Sequence, residues 1–378
     1  MKRISYLFIF LLLAVLACRE RYDINLKSTD KVALVVEGYL NGGNGPTSIT
    51  LSRSYALNSV GSPLPVTKAQ VTVEGDNGSS FSLTEVGSTG RYRHSQLTLL
   101  PTQQYRLRIK TQDNTEYLSE YVPVLSSPAI DSINWKWENE GIMFYANTHD
   151  ATAKSKYYRW EYEDTWEIIS NYSSFVKVVD TLILPRNFPA EDVSHCWKYG
   201  TSSSIMLGTT AQLQSDVVFE APLYFLPKNI EKLGVRYSTL VKQQVLTRQA
   251  YEYFLLMKKN TEQLGSIFDP LPSELRGNIR CLSNPAQQVI GYITAGITEE
   301  KRIFVSSNDL PGSNYIFPNC SWRLVPNKKD SLRKWMPALM PYAEDLDLFG
   351  NVVGYFMAPL VCSDCTARGG SNVKPSYW

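Results

Sequence analysis

Histidine is the scarcest chemistry-bearing residue, with only His94, His149 and His195 in 378 residues. No two stand at metal-ligand spacing, and no His-Glu-x-x-His occurs, so no motif points to a metal centre. A Gly-x-Ser-x-Gly nucleophile elbow is also missing. An excess of one charge is lacking too: 38 Lys+Arg stand against 36 Asp+Glu. Such a balance offers no basic field for nucleic acid and no acidic tail. Long apolar runs are absent; the run Tyr6 to Ala17 has twelve residues, short of the roughly 20 that cross a bilayer as a helix. These absences lead to the expectation of a protein that is not an enzyme and holds no cofactor or metal.

What is present begins with an address. Lys2 and Arg3 precede the apolar run, which ends in Val15-Leu16-Ala17-Cys18. A small residue before a cysteine, with aliphatic ones further back, is the layout of a secretory signal cleaved to expose that cysteine, although Leu16 is bulkier than is usual at its place. The expectation is a signal peptide over 1–17, lipidation at Cys18 and a flexible tether over 18–30. Acyl chains on one residue, at about 0.8 kcal/mol per buried CH2, anchor a protein without a transmembrane helix. Removing 17 residues leaves a chain long enough for two full cores.

Five further cysteines, Cys196, Cys281, Cys320, Cys362 and Cys365, are disulfide candidates in an exported protein, at most two bonds with one thiol left over. Cys362-Ser363-Asp364-Cys365 is a C-x-x-C. A redox pair needs a βαβ context that Val352–Leu360 does not offer, and zinc needs a second close pair. A bond from Cys362 or Cys365 to Cys320 is the expected one.

The fold class read from the residues is mainly β. Over 31–124, short alternating runs are separated by Asn/Asp/Gly turns such as Asn41-Gly42-Gly43-Asn44-Gly45-Pro46, and no helical period appears. That spacing predicts an antiparallel immunoglobulin-like sandwich. Leu99-Leu100-Pro101-Thr102-Gln103-Gln104-Tyr105 matches a tyrosine corner, in which the Tyr105 phenol bonds back to the main chain. Over 128–360 a larger β-rich domain follows. In Tyr158, Trp160, Tyr162 and Trp166 every second residue is large, while Arg159, Glu161, Glu163 and Glu167 hold the opposite parity. One face is therefore apolar core, or else an aromatic platform for sugars or a partner, and the other is charged and wet. One main helix is expected over 247–264, capped by Thr247, with a stripe of Ala250, Tyr251, Phe254 and Leu255 and an end at Gly265. A short helical turn over Asp330–Met336 stops at Pro337. Residues 361–378 form a cysteine-containing tail.

Candidate chemistry is thin. His195 and Cys196 are adjacent, so on a strand they face opposite ways. Glu344, Asp345 and Asp347 sit in a loop where solvation is the ordinary fate, with calcium at Asp345 and Asp347 as the sharper alternative. Nothing marks a catalytic residue, and the contacts to any partner or ligand are not readable.

Several stretches carry a resemblance: Leu34-Val35-Val36-Glu37-Gly38-Tyr39-Leu40, Gly90-Arg91-Tyr92, Tyr157-Tyr158-Arg159-Trp160-Glu161, Gly265–Pro270 and Gly277-Asn278-Ile279. The most specific is the tail, Cys362-Ser363-Asp364-Cys365, Arg368-Gly369-Gly370-Ser371-Asn372 and Lys374-Pro375-Ser376-Tyr377-Trp378. Together they resemble the Bacteroidota lipoprotein family called domain of unknown function 4249. The resemblance implies a lipid-anchored outer-membrane protein, periplasmic or surface-facing, and a SusC-like TonB-dependent transporter barrel as partner. It supplies no catalytic residues. The functional expectation is a non-enzymatic accessory or substrate-capture component of that transporter. The alternatives are an independent glycan- or peptide-binding surface protein or adhesin, and an envelope hydrolase.

Overall fold

A computed structural model describes residues 33–54, 63–180, 182–262, 275–312, 315, 317, 319–336 and 338–378. The expected signal peptide, Cys18, the tether, Gly265 and Pro337 lie outside these residues.

The chain is mainly β. In the first part, alternation drives the layout. Along Gln104–Lys110 the residues Tyr105, Leu107 and Ile109 are buried while Arg106 and Arg108 point outward onto Glu74, at 2.8 and 2.6 Å. Eight strands hydrogen-bond in a ring: Gln104–Lys110, Gln70–Gly75, Ser80–Glu85, Arg91–His94, Thr47–Arg53, Leu34–Asn41, Ala295–Ile297 and Val122–Ser126. Pairing of Tyr105 with Val122 closes it. The expectation was two facing sheets; the hydrogen bonds instead describe one sheet folded into a barrel-like closure. The barrel core holds Leu34, Val36, Ile49, Leu51, Val73, Tyr92 and Leu107. The Tyr105 hydroxyl accepts from the Leu100 N–H at 3.0 Å and donates to Gln103 Oε1 at 3.0 Å, the backward bond of a tyrosine corner.

Three strands of this sheet system come from far along the chain. Ile279–Cys281 extends Glu116–Ser119, while Val289–Ile290 and Ala295–Ile297 run parallel to Leu34–Asn41. The expected 128–360 domain takes in 279–297. The pairing moves the segment into the first sheet, and Gly291 breaks the strand. Gly291 has φ +146°, and a Cβ there would meet the Val36 carbonyl oxygen at 2.3 Å, so only glycine allows the close passage.

The second part is a sandwich. A three-stranded sheet, Ile130–Glu138, Gly141–His149 and Val217–Pro227, faces a five-stranded one built on Tyr157–Ile169. The latter strand pairs with His195–Thr201, Met206–Thr209 and Arg236–Val245, and Glu299–Ser306 forms the far edge. Tyr158, Trp160, Phe144, Tyr237 and Val241 fill the space between. Trp160 is 1 % exposed, and its indole N–H donates to Gln243 at 2.9 Å, as a buried polar group must. The aromatic parity is thus core and not a platform.

Over the described residues the main helix is Arg248–Glu262, starting one residue after the expected 247, with Thr247 Oγ1 accepting from the Ala250 N–H at 3.2 Å. Its buried residues are Ala250, Tyr253 and Phe254; Tyr253, rather than Leu255, completes the stripe. A three-stranded sheet, Arg323–Pro326, Val352–Ala358 and Met340–Leu346, follows, with a helix at Lys329–Trp335.

The tail returns to the sandwich. Disulfides join Cys196 to Cys365 and Cys320 to Cys362, and Cys281, a candidate for pairing, is a buried free thiol. Each cysteine of the C-x-x-C thus ties to a different distant segment. Beyond them Ser371 bridges to Trp197 on the edge strand, Tyr377 meets Thr165 Oγ1 at 2.8 Å, and the Arg302 guanidinium lies 3.8 Å above the Tyr377 ring. Trp378 packs edge-on against Trp197 and Phe304. The last residues thereby cross strand after strand of the outer sheet face.

Two substitutions test this arrangement. Tyr105→Phe should cost about 1–2 kcal/mol, the range for a lost partly buried hydrogen bond, read as a lower urea midpoint at unchanged slope. Cys196→Ser with Cys365→Ser opens a closure spanning 169 residues and should cost about 2–5 kcal/mol. Thermal unfolding would show the loss, and faster proteolysis of the tail would show the clasp released.

Candidate functional site

The charged parity of Tyr157–Ile169 does not simply face water. The barrel strand Leu34–Asn41 and the helix Arg248–Glu262 roof part of it, leaving two adjoining clefts that share Gly38, Glu161 and Ser202. Their volumes are ≈ 570 Å³ and ≈ 320 Å³. Gly38 makes the roof: at φ +128° it sits so close to the neighbouring strand that a Cβ would meet Ser48 O at 2.3 Å.

The larger cleft is lined by Glu37, Arg159, Glu161, Glu262, Ser202–Ser204, Phe254 and Tyr292 among others. The Arg159 guanidinium is held on two sides. It pairs with Glu161 at 2.5 Å, stacks 4.3 Å above the Phe254 ring, and its Nε is buried without a partner. The smaller cleft sets Lys242 between Glu163 at 2.7 Å and Glu300 at 3.5 Å. Burial pulls the Lys242 ammonium down, but the bonds and charges of Glu163 and Glu300 outweigh it and leave the group above its ordinary value. Tyr39, donating to Thr298 Oγ1 at 3.0 Å, has its phenol pushed up by burial.

Five carboxylates, Glu37, Glu161, Glu163, Glu262 and Glu300, thus meet two cations, Arg159 and Lys242. An acidic, hydroxyl-lined cleft repels anions and suits neutral polyhydroxylated or cationic groups. Glu161, Glu163 and Glu300 are each engaged by a cation, so none stands as a free acid against an apolar wall in the manner of a general acid.

The histidines lie elsewhere. His149 Nδ1 meets Asp131 at 2.8 Å on an open surface, and His195 Nδ1 meets Glu167 at 3.0 Å. Neither ring bonds a hydroxyl or thiol among the described residues, so the step from base to nucleophile is lacking. Cys196 is locked in its disulfide, and the two side chains diverge as expected of strand neighbours. Asp347 accepts from the N–H groups of Phe349 and Asn351 at 2.8 and 2.9 Å; these bonds and the Asn351 amide, which comes first, hold its carboxyl below the ordinary range. The alternative of calcium at Asp345 and Asp347 therefore meets a carboxylate engaged by its own loop. Among the described residues no group of three or more His, Cys, Asp or Glu side chains converges as a metal site would.

Residues 19–302, well over half of the chain, match the family described as Domain of unknown function (DUF4249). This is a DUF4249 protein. The match takes in the barrel, the clefts and the sandwich up to the middle of its edge strand Glu299–Ser306, and stops before the C-x-x-C tail. No curated protein matches the chain. A crystal structure of a candidate carbohydrate binding protein from Bacteroides uniformis aligns over 57 % of this chain and 90 % of its own, at 10 % identity and a TM-score of 0.13. That score falls short of a shared fold, and nothing rests on it.

Sequence reasoning found the wet parity of the DUF4249 strand but not its roof. The signal in reach was Gly38 in the interior of a strand, which marks close backbone approach. Asp131 raises the His149 pKa above its ordinary 6.5, chiefly by their hydrogen bond. A raised folded-state value stabilises below the unfolded pKa and is lost as pH rises through the folded one. The imidazole NMR titration of His149 should therefore have its midpoint above 6.5 and fall back in Asp131→Asn.

Proposed function

We propose that this DUF4249 protein is an outer-membrane lipoprotein, acylated on Cys18, that works without catalysis as an accessory or substrate-capture component of a SusC-like TonB-dependent transporter. The observation that carries the reading is the run Tyr6–Ala17 ending at Cys18, with the family match beginning directly after it. Among the described residues no helix is long and apolar enough to cross a membrane. The clefts add support, because they offer an acidic, hydroxyl-lined recess suited to neutral polyhydroxylated or cationic groups.

A second reading, an independent binder of glycans or peptides, draws on the same acidic clefts. Affinity purification of the lipidated protein from detergent-solubilised envelopes separates the two. The first reading expects a large barrel protein to co-purify; recovery of the lipoprotein alone at every detergent strength sinks it, and glycan-array binding by the isolated chain then favours the second. Cys18→Ala should abolish acylation and release the processed protein from the membrane fraction; unchanged processing and retention would remove the anchor from the picture.

A further inference from the structure

The most solvent-bare apolar side chains of the described residues share one hairpin tip. The strands Met340–Leu346 and Val352–Ala358 are joined by Asp347-Leu348-Phe349-Gly350-Asn351. Leu348 is 100 % exposed and Phe349 88 %, with Leu346 at 53 % and Val353 at 46 % just behind them. Isolated exposed leucines are ordinary, but a leucine and a phenylalanine together at a tip, backed by two more apolar residues, mark a contact surface.

The tip is built and not slack. The Asp347 carboxylate accepts from the Phe349 and Asn351 N–H groups, and the Asp347 N–H donates to the Asn351 carbonyl at 3.0 Å. Gly350 turns the chain at φ +82°. Bonding the turn inward leaves the two apolar side chains as what it presents. Beside it, the Asn327 N–H donates to the Val353 carbonyl at 2.8 Å, which brings the exposed Lys328 and Lys329, followed by Asp330, toward a hairpin that itself carries Glu344, Asp345 and Asp347. Apolar residues at a tip suit a bilayer interface, where the rings and methyls enter the acyl boundary while the flanking charges, of both signs, stay at the headgroup level.

We propose that Leu348 and Phe349 insert shallowly into the lipid interface and give the folded body a second contact with the membrane. The proposal rests on the reading of Cys18 as the lipid anchor for one point. The chain between Cys18 and the first described residue, Ala33, spans at most about 50 Å fully extended, so the body is never far from the bilayer. A single weak contact is marginal, whereas a second one on a tethered body acts at high effective concentration.

The test is independent of acylation. Residues 19–378, which contain every described residue, are held by an N-terminal histidine tag on vesicles of phosphatidylethanolamine and phosphatidylglycerol doped with nickel-chelating lipid. Phe349→Trp and, as a control, Phe219→Trp are compared, since Phe219 is 77 % exposed elsewhere. With acyl-brominated lipid, the tryptophan added at 349 should be quenched roughly threefold more than that at 219, as insertion of ~5–10 Å requires. Equal quenching at the two sites overturns the proposal. So does a tryptophan at 349 whose emission shifts to the blue without bromine quenching, because that outcome marks burial against a second copy of the chain in place of lipid. Failure of Cys18 acylation in cells leaves these outcomes unchanged, so the two readings fail separately.

Discussion

The structure hangs on the two faces of one strand. Tyr157–Ile169 places Tyr158 and Trp160 in the sandwich core and Arg159, Glu161 and Glu163 on the cleft side. Side chains on a strand alternate strictly, so a slip of one residue would exchange buried rings for charges and ruin both faces together. Three partner strands fix its register, and the Trp160–Gln243 bond pins it from inside. Farther along, Thr165 receives Tyr377 of the tail, and Ile168 packs on the Cys196–Cys365 bond. Core, cleft and clasp therefore share one register.

The barrel and the sandwich are joined through more than the short connection near Ser127. Ala295–Ile297 is hydrogen-bonded between Leu34–Asn41 and Val122–Ser126, and only a few residues later Glu299–Ser306 becomes the edge of the sandwich sheet. The ring cannot close until a segment more than two hundred residues away arrives. Such non-local pairing must overcome loop-closure entropy before it is rewarded. Its consequence is functional, because the cleft lies where the barrel strand with Gly38 meets the sandwich face.

The tail serves as a clasp. Tyr377 and Trp378 lie over the same sheet face that becomes the cleft farther along, and the Arg302 and Arg236 guanidinium groups stack on their rings. Two disulfides hold the approach to this crossing. Such bonds persist in an oxidising compartment.

Much was legible in the residues alone. Period-two alternation and turn chemistry determined that the chain is β-rich, that Tyr105 bonds backward, that Thr247 starts the helix, and that the aromatic parity of Tyr157–Ile169 differs from its charged one. These are local properties, written in spacings of a few residues. Tertiary structure alone decided that 279–297 belongs to the first sheet, that Cys365 pairs with Cys196, that the charged parity is roofed into clefts, and that Leu348 and Phe349 stand clear of everything else. Each depends on which distant segments meet, and alternation is indifferent to that. A strand's pattern records that one side is dry without recording what covers it.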